Sequence, residues 1–353
     1  MVPDSLGFVD AVRSLPEQLA AAHEQAGTLD LTGLPEGRDV EHVVVLGMGG
    51  SGIVGDVLAA VAGPVLPAPV VVVKGYEPPA FVGPRTLVVA ISYSGDTEET
   101  VAAARRALDA GGRLLAVCCG GELGRLAEAR GATVARCPQG YMPRAALGAL
   151  LAPVLVALCG LGLLPEGHTW LVKAQEQLAH RRDRCRPEVE GPANPARELA
   201  RRIGRTVPLV YGGGALGAVA AMRWKADVNE NAKAPAFWNA YPELDHNEIC
   251  GWGQHGDLTR QAVTLVELRH GFEHPQVERR FAPTRAIVEE AVHDVLEVQA
   301  AGEGPLAQLL DLMYVGDWMS VYLALANEVD PGPIEAIQRL KEALAPGRPS
   351  TAR

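Results

Sequence analysis

The chain alternates short, almost wholly apolar runs with longer stretches in which apolar residues recur at helical spacing. Val43 to Leu46, Val70 to Val73, Leu87 to Ile91, Arg113 to Val117 and Thr133 to Ala135 predict parallel strands, because strands covered on both faces lose the in-and-out alternation of a half-exposed sheet. Ile53 to Val61, Thr97 to Ala110 and Glu122 to Ala129 predict the intervening helices. After a polar, proline-bearing stretch from Arg181 to Pro195 the pattern restarts. Val207 to Gly214 is a strand ending in glycines and Ala215 to Ala234 a helix; strands follow at Ala262 to Leu268 and Asp294 to Val298, with helices at Pro275 to Ala291, Gly304 to Asn327 and about Pro333 to Leu344. The expected fold class is α/β, in two doubly wound units spanning residues 1–164 and 165–353, each a mostly parallel sheet flanked by helices.

Ala145 to Leu164 has about the length that spans a bilayer. Its apolar content is largely Ala and Gly, Pro153 interrupts it, and a span would put the two glycine-turn units in different compartments, so it reads as a helix buried between domains or at a dimer interface. A chain that is 48% apolar and 21% charged can build a large core, and a formal charge of -10 argues against a nucleic-acid partner. Six cysteines without a C-x-x-C pair match reduced thiols, and the N-terminus carries no secretory pattern, so a cytoplasmic location is expected.

The chemistry begins in VVVLGMGGSGIVGD, where Gly47, Gly49 and Gly52 form G-x-G-x-x-G between a strand and a helix. That context suits a dinucleotide, but a glycine turn with Ser51 at a helix start also suits one phosphate group. A dinucleotide site has an acidic residue about twenty positions further on. Here Lys74 stands in that region, which disfavours NAD and leaves NADP open. The third strand ends in SYSGDT, so Ser92, Ser94 and Thr97 present hydroxyls beside Gly95, which lets the backbone approach closely. Asp96 or Thr97 could instead cap the next helix, but a cap needs only one such group.

S-x-S-G-x-T at Ser92 to Thr97, with G-G-S at Gly49 to Ser51, resembles the sugar isomerase (SIS) fold. The resemblance implies that Gly49, Gly50, Ser51, Ser92, Ser94 and Thr97 hold the phosphate of a phosphosugar. Further on, R-W-K, N-E-N-A-K and P-E-L-D-H-N-E, with P-R-A-A-L-G at Pro143 to Gly148 and I-x-x-L-K at Ile337 to Lys341, resemble the bifunctional phosphoglucose/phosphomannose isomerase branch of that family. The likeness implies Glu230 as catalytic base, His246 and Lys341 in ring opening, and Arg144 near the developing negative charge. It also implies a homodimer in which His246 reaches the site of the partner chain. Asp245 replaces an asparagine common before the histidine, and Gly332 stands where a threonine is expected in many relatives.

The residue types suit the implied reaction. Aldose-ketose isomerisation moves a proton between C1 and C2 through an enediol, which asks for one carboxylate and one cation and for neither nicotinamide nor metal. The expected substrates are glucose 6-phosphate and mannose 6-phosphate, converging on fructose 6-phosphate. A zinc reading of His246, Glu248 and His255 fits no common ligand spacing. The alternative function is a non-catalytic phosphosugar sensor, although no helix-turn-helix pattern precedes Val43.

Overall fold

A computed structural model describes residues 4–344 and places two parallel sheets side by side. In the first, β1 (His42–Gly47), β2 (Val70–Val73), β3 (Thr86–Ile91), β4 (Arg113–Cys118) and β5 (Thr133–Arg136) lie in the order β2-β1-β3-β4-β5. In the second, β6 (Val207–Gly213), β7 (Phe237–Tyr241), β8 (Val263–Arg269) and β9 (Asp294–Gln299) lie in the order β7-β6-β8-β9. Both sheets therefore reverse direction next to their first strand. Val44 pairs with Val71 on one side and Val88 on the other, and Val210 sits likewise between Trp238 and Val266. Ligands collect beyond the carboxyl ends of strands at such a reversal, so the loops after β1 and β3, and those after β6 and β8, mark the two candidate crevices.

The helices run α1 (Phe8–Arg13), α2 (Leu15–Ala26), α3 (Gly49–Val61), α4 (Glu98–Asp109), α5 (Gly121–Ala129), α6 (Leu147–Gly160), α7 (Gly167–Cys185), α8 (Pro195–Ile203), α9 (Gly214–Asp227), α10 (Gly256–Ala262), α11 (Pro275–Glu278), α12 (Phe281–Val288), α13 (Pro305–Ala326) and α14 (Glu335–Leu344). One continuous apolar core runs from α1 and α2 through α3, α6 and α7 to α9 and α13, tying the sheets together. The Ala145 to Leu164 segment supplies α6, buried along its length and packed on α2 and α7. Among the described residues, the helix long and apolar enough to cross a membrane is α13, and it is almost wholly buried in this core.

Several expected elements take a different form. The segment Phe237 to Tyr241 is a strand at the sheet edge that short length and exposed aromatics hide from periodicity. The helix expected over Pro275 to Ala291 breaks into α11, α12 and a 3-10 turn at Glu289–Ala291. Pro283 has no N–H to donate back to Arg279, so the helix restarts around it. The helix expected through Ala234 ends as α9 at Asp227 and continues as a π-turn over Val228–Ala232, closed by Lys233 in the left-handed region at φ 55°. A π-turn adds a residue to the turn and re-aims the side chains that follow.

Candidate functional site

The glycine turn after β1 is built by close backbone approach. Gly49 has φ 52°, and a Cβ at Gly52 would meet the Gly47 carbonyl oxygen at 2.8 Å, so the turn folds tightly into α3. A Cβ at Gly50 would meet Cα of Arg144 at 2.8 Å, which sets the turn directly against the loop that carries Arg144. Ser51 is buried, and its Oγ accepts the N–H of Tyr93 at 3.1 Å, joining the turn to the serine loop after β3.

In that serine loop the three hydroxyls differ. Ser92 is fully buried, and its Oγ accepts the N–H of Gly95 at 3.1 Å while lying 2.8 Å from Thr97 Oγ1. Ser94 is exposed and Thr97 partly exposed. Gly95, at φ 82°, leaves no room for a side chain against the Gly120 carbonyl. Neither Asp96 nor Thr97 caps α4; Asp96 Oδ1 accepts the N–H of Glu122 at 2.9 Å and belongs to the start of α5 instead. Tyr93 continues the connection toward Arg144, because its hydroxyl donates to Pro138 O at 2.8 Å and accepts from the N–H of Tyr141 at 2.8 Å.

Arg144 lies in a 3-10 turn before α6 and is buried, with its guanidinium 4.4 Å over the Phe8 ring. Nε donates to Asn231 Oδ1 at 2.8 Å, and Nη2 donates to the carbonyls of Pro331 and Gly332, each at 2.7 Å. The Glu230 carboxylate stands 3.9 Å away, a quarter exposed. Burial lowers the Arg144 pKa, and the facing Glu230 and Asp227 oppose that fall only in part; an arginine so placed stays cationic. Lys233 donates to the carbonyls of Glu230 at 2.7 Å and Pro331 at 3.2 Å, so one backbone oxygen receives both cations. Burial, then Arg144, lowers its pKa. Glu230, Lys233, Asp330, Ile334, Glu335 and Ile337 border an open crevice of about 590 Å³.

His246 and Lys341 stand apart. His246 is exposed on the 3-10 turn Glu243–His246 after β7, and Lys341 is exposed on α14. Among the described residues no hydrogen bond or ion pair joins either to Glu230 or Arg144. The Asp245 departure has a local partner: Arg280 donates to Oδ2 at 3.0 Å and Thr284 to Oδ1 at 2.9 Å, so the added charge is paired. At Gly332 a Cβ would meet Leu6 Cβ at 2.9 Å. Glu248 accepts from the Tyr211 hydroxyl and the Asn239 amide, which fixes the loop, and among the described residues no three His, Cys, Asp or Glu side chains converge as a metal cage.

The second glycine turn repeats the first in backbone only. Gly214 begins α9 at φ 59°, as Gly49 begins α3. Its crevice is filled from within, since a Cβ at Gly213 would meet the Glu273 carboxylate at 3.1 Å and His270 Nε2 lies 2.8 Å from the Gly213 carbonyl. A carboxylate held there by Arg269 and the His270 N–H repels a second anion. Lys74, the cation that left a 2′-phosphate open, is paired with Asp56 at 2.5 Å.

Phe8, Asn231, Lys233 and the two carbonyls of Pro331 and Gly332 were not legible as site residues. Only the placement of Asn231 and Lys233 inside N-E-N-A-K pointed that way.

Comparison with known proteins agrees with the architecture. The family model of the SIS domain matches residues 38–130, and that described as the bacterial phospho-glucose isomerase C-terminal SIS domain matches residues 192–344. A bifunctional phosphoglucose/phosphomannose isomerase of Caldicellulosiruptor bescii is 35% identical, over 95% of this chain and 98% of its own length. The protein of that name from Aquifex aeolicus is 35% identical over 86% of this chain and 90% of its own. The C-terminal domain of glucosamine-fructose-6-phosphate aminotransferase from Francisella tularensis superposes with a TM-score of 0.70 at 14% identity, covering 93% of this chain and 98% of that one, a likeness of fold.

Proposed function

This chain belongs to the bifunctional phosphoglucose/phosphomannose isomerase family of SIS-domain enzymes, and on that footing we propose that it converts glucose 6-phosphate and mannose 6-phosphate to fructose 6-phosphate through an enediol, using its own side chains and no metal. The observation that carries the reading is the approach of Glu230 to within 3.9 Å of Arg144, whose backbone packs on the glycine turn.

The sugar phosphate binds at the first reversal point. Backbone N–H groups of Gly49 and Gly50 at the start of α3, with Ser51, Ser94 and Thr97, donate to its oxygens, while Ser92 shapes the loop from within. Phosphate held there places the far end of the sugar toward the crevice beside Glu230. The Glu230 carboxylate takes the proton from C2 and returns it to C1, and the hydrogens on Arg144 Nη1, which no residue described here accepts, face the oxygen on which charge develops. The enediol is planar at C2, so protonation from either face yields either aldose. His246, supplied by the partner of a homodimer, and Lys341 on α14 act first, opening the closed ring by taking the proton of the anomeric hydroxyl and delivering one to the ring oxygen as its bond to the anomeric carbon breaks.

Incubating the purified protein with each hexose 6-phosphate, with and without a chelator, and measuring fructose 6-phosphate tests this. Conversion of both sugars in the chelator's presence supports it; binding without conversion favours the sensor reading.

A further inference from the structure

Asn231 follows Glu230 in the π-turn and is fully buried. Its amide lies between two partners, accepting from Arg144 Nε on Oδ1 at 2.8 Å and donating from Nδ2 to Ser320 Oγ at 2.9 Å. Ser320 dictates which way the amide faces. Its hydroxyl donates its one hydrogen to the Asp317 carbonyl at 2.8 Å, so toward Asn231 it can only accept. The amide must turn its NH2 to Ser320 and its oxygen to Arg144.

The connection closes on itself. Arg223 Nε donates to Asp317 Oδ1 at 3.1 Å, and Arg223 Nη2 donates to the main-chain carbonyl of Arg144 at 2.6 Å. Arg144 is thus held at its side chain through Asn231 and Ser320, and at its backbone through Arg223 and Asp317, with all five residues buried. Buried polar groups that are hydrogen-bonded to one another hold one geometry rigidly.

We propose that Asn231 is a positioning residue, its amide aimed by Ser320 so that the Arg144 guanidinium keeps its direction beside the Glu230 carboxylate. The inference rests on the reading of Glu230 as base and Arg144 as charge stabiliser. An amide suits the place because it accepts from Arg144 without neutralising it. A carboxylate there would pair with Arg144 and crowd a second negative charge against Glu230, which Arg144, Lys233, Arg223 and Asp227 already face.

The test is steady-state kinetics across pH on Asn231→Asp and Ser320→Ala, with fructose 6-phosphate binding by calorimetry. Asn231→Asp should bind substrate as the wild type does, because the phosphate loops are untouched, yet lose kcat by about tenfold to a hundredfold, as displacement of a reacting group by an ångström does. The acid limb of its kcat profile should move to higher pH, because a second carboxylate opposes ionisation in the site. Ser320→Ala leaves the Asn231 NH2 without its acceptor, so the amide is held from one side only, and it should lower kcat by less, with KM unchanged. It also keeps the test decisive if the aspartate variant does not fold. Wild-type kcat in Ser320→Ala, or a wild-type kcat and pH profile in Asn231→Asp, overturns the inference. Glu230→Gln measured alongside separates the failures: if it loses C2 proton exchange while the Asn231 and Ser320 variants behave as wild type, only the role of Asn231 falls. If it keeps exchange, the underlying assignment falls and the inference with it.

Discussion

Gly50 and Arg144 occupy adjoining space so closely that one methyl group would not fit between them: a Cβ at Gly50 would lie 2.8 Å from Cα of Arg144 and 2.8 Å from the Pro143 carbonyl oxygen. The glycine turn and the arginine loop are in effect one surface, and a change at one moves the other. Gly50→Ala is therefore expected to push the Arg144 loop away from the turn. Activity should fall about a hundredfold, in line with an ångström-scale misplacement, with a stability loss of about 1–3 kcal/mol from overpacking. Near wild-type turnover in a folded Gly50→Ala protein would show that the loop absorbs the methyl group elsewhere.

The two serines of the SYSGDT loop should fail differently. Ser94→Ala removes an exposed donor and is expected to weaken fructose 6-phosphate binding about tenfold to a hundredfold, since a hydrogen bond to a charged group contributes about 1.5–3 kcal/mol. Ser92→Ala removes the partner of the Thr97 hydroxyl inside the loop, while the N–H of Gly95 keeps the Ser92 carbonyl at 3.0 Å, so its main effect should be on stability, about 0.5–1.5 kcal/mol. Calorimetric binding and urea unfolding on both variants distinguish the roles; the same profile from both would erase the distinction.

Glu230→Gln keeps the shape and reach of the side chain but cannot take a proton at neutral pH. Exchange of the sugar C2 proton with solvent should stop while phosphate binding stays close to wild type. Deuterium incorporation followed by NMR measures this directly, and exchange at the wild-type rate would remove Glu230 from the role of base.

His246 is exposed, and among the described residues no hydrogen bond or ion pair joins it to Glu230 in its own chain, which bears on assembly. Inactive Glu230→Gln and inactive His246→Ala proteins, co-folded, should recover part of the activity through heterodimers holding one intact site. Demonstrated heterodimers without recovery would put both residues in the site of one chain.

Asp227 carries a pH dependence. Burial pushes its carboxyl well above the ordinary value of 3.8, against the pull of Arg223 and with Asp317 and Glu230 adding to the rise. A carboxyl whose pKa is raised in the folded state contributes its stability fully below the unfolded value, and that contribution is lost as pH rises through the folded pKa. Asp227→Asn cannot titrate, so from about pH 4 upward the stability advantage of wild type over variant should shrink. Urea unfolding at several pH values checks the trend. A constant difference would show that Asp227 keeps the same ionisation folded and unfolded.

What the residues alone determined is the local layer of this protein. The β-strands of the first sheet begin and end within a residue of the apolar runs that announce them, because a strand buried on both faces must be apolar throughout. The two glycine turns were equally plain, since few residues other than glycine enter a helix from the left-handed region. What only the tertiary structure decided is which groups meet. Asn231 and Ser320 are separated by 89 residues, and the Gly332 carbonyl reaches Arg144 across 188; no periodicity spans such distances. The difference between the two glycine turns is of the same kind. Their backbones are alike, yet Glu273 in the loop after β8 fills one while the other opens beside Arg144. A turn records the dihedral angles of its own residues, whereas the charge it faces is set by whatever the packed core brings opposite.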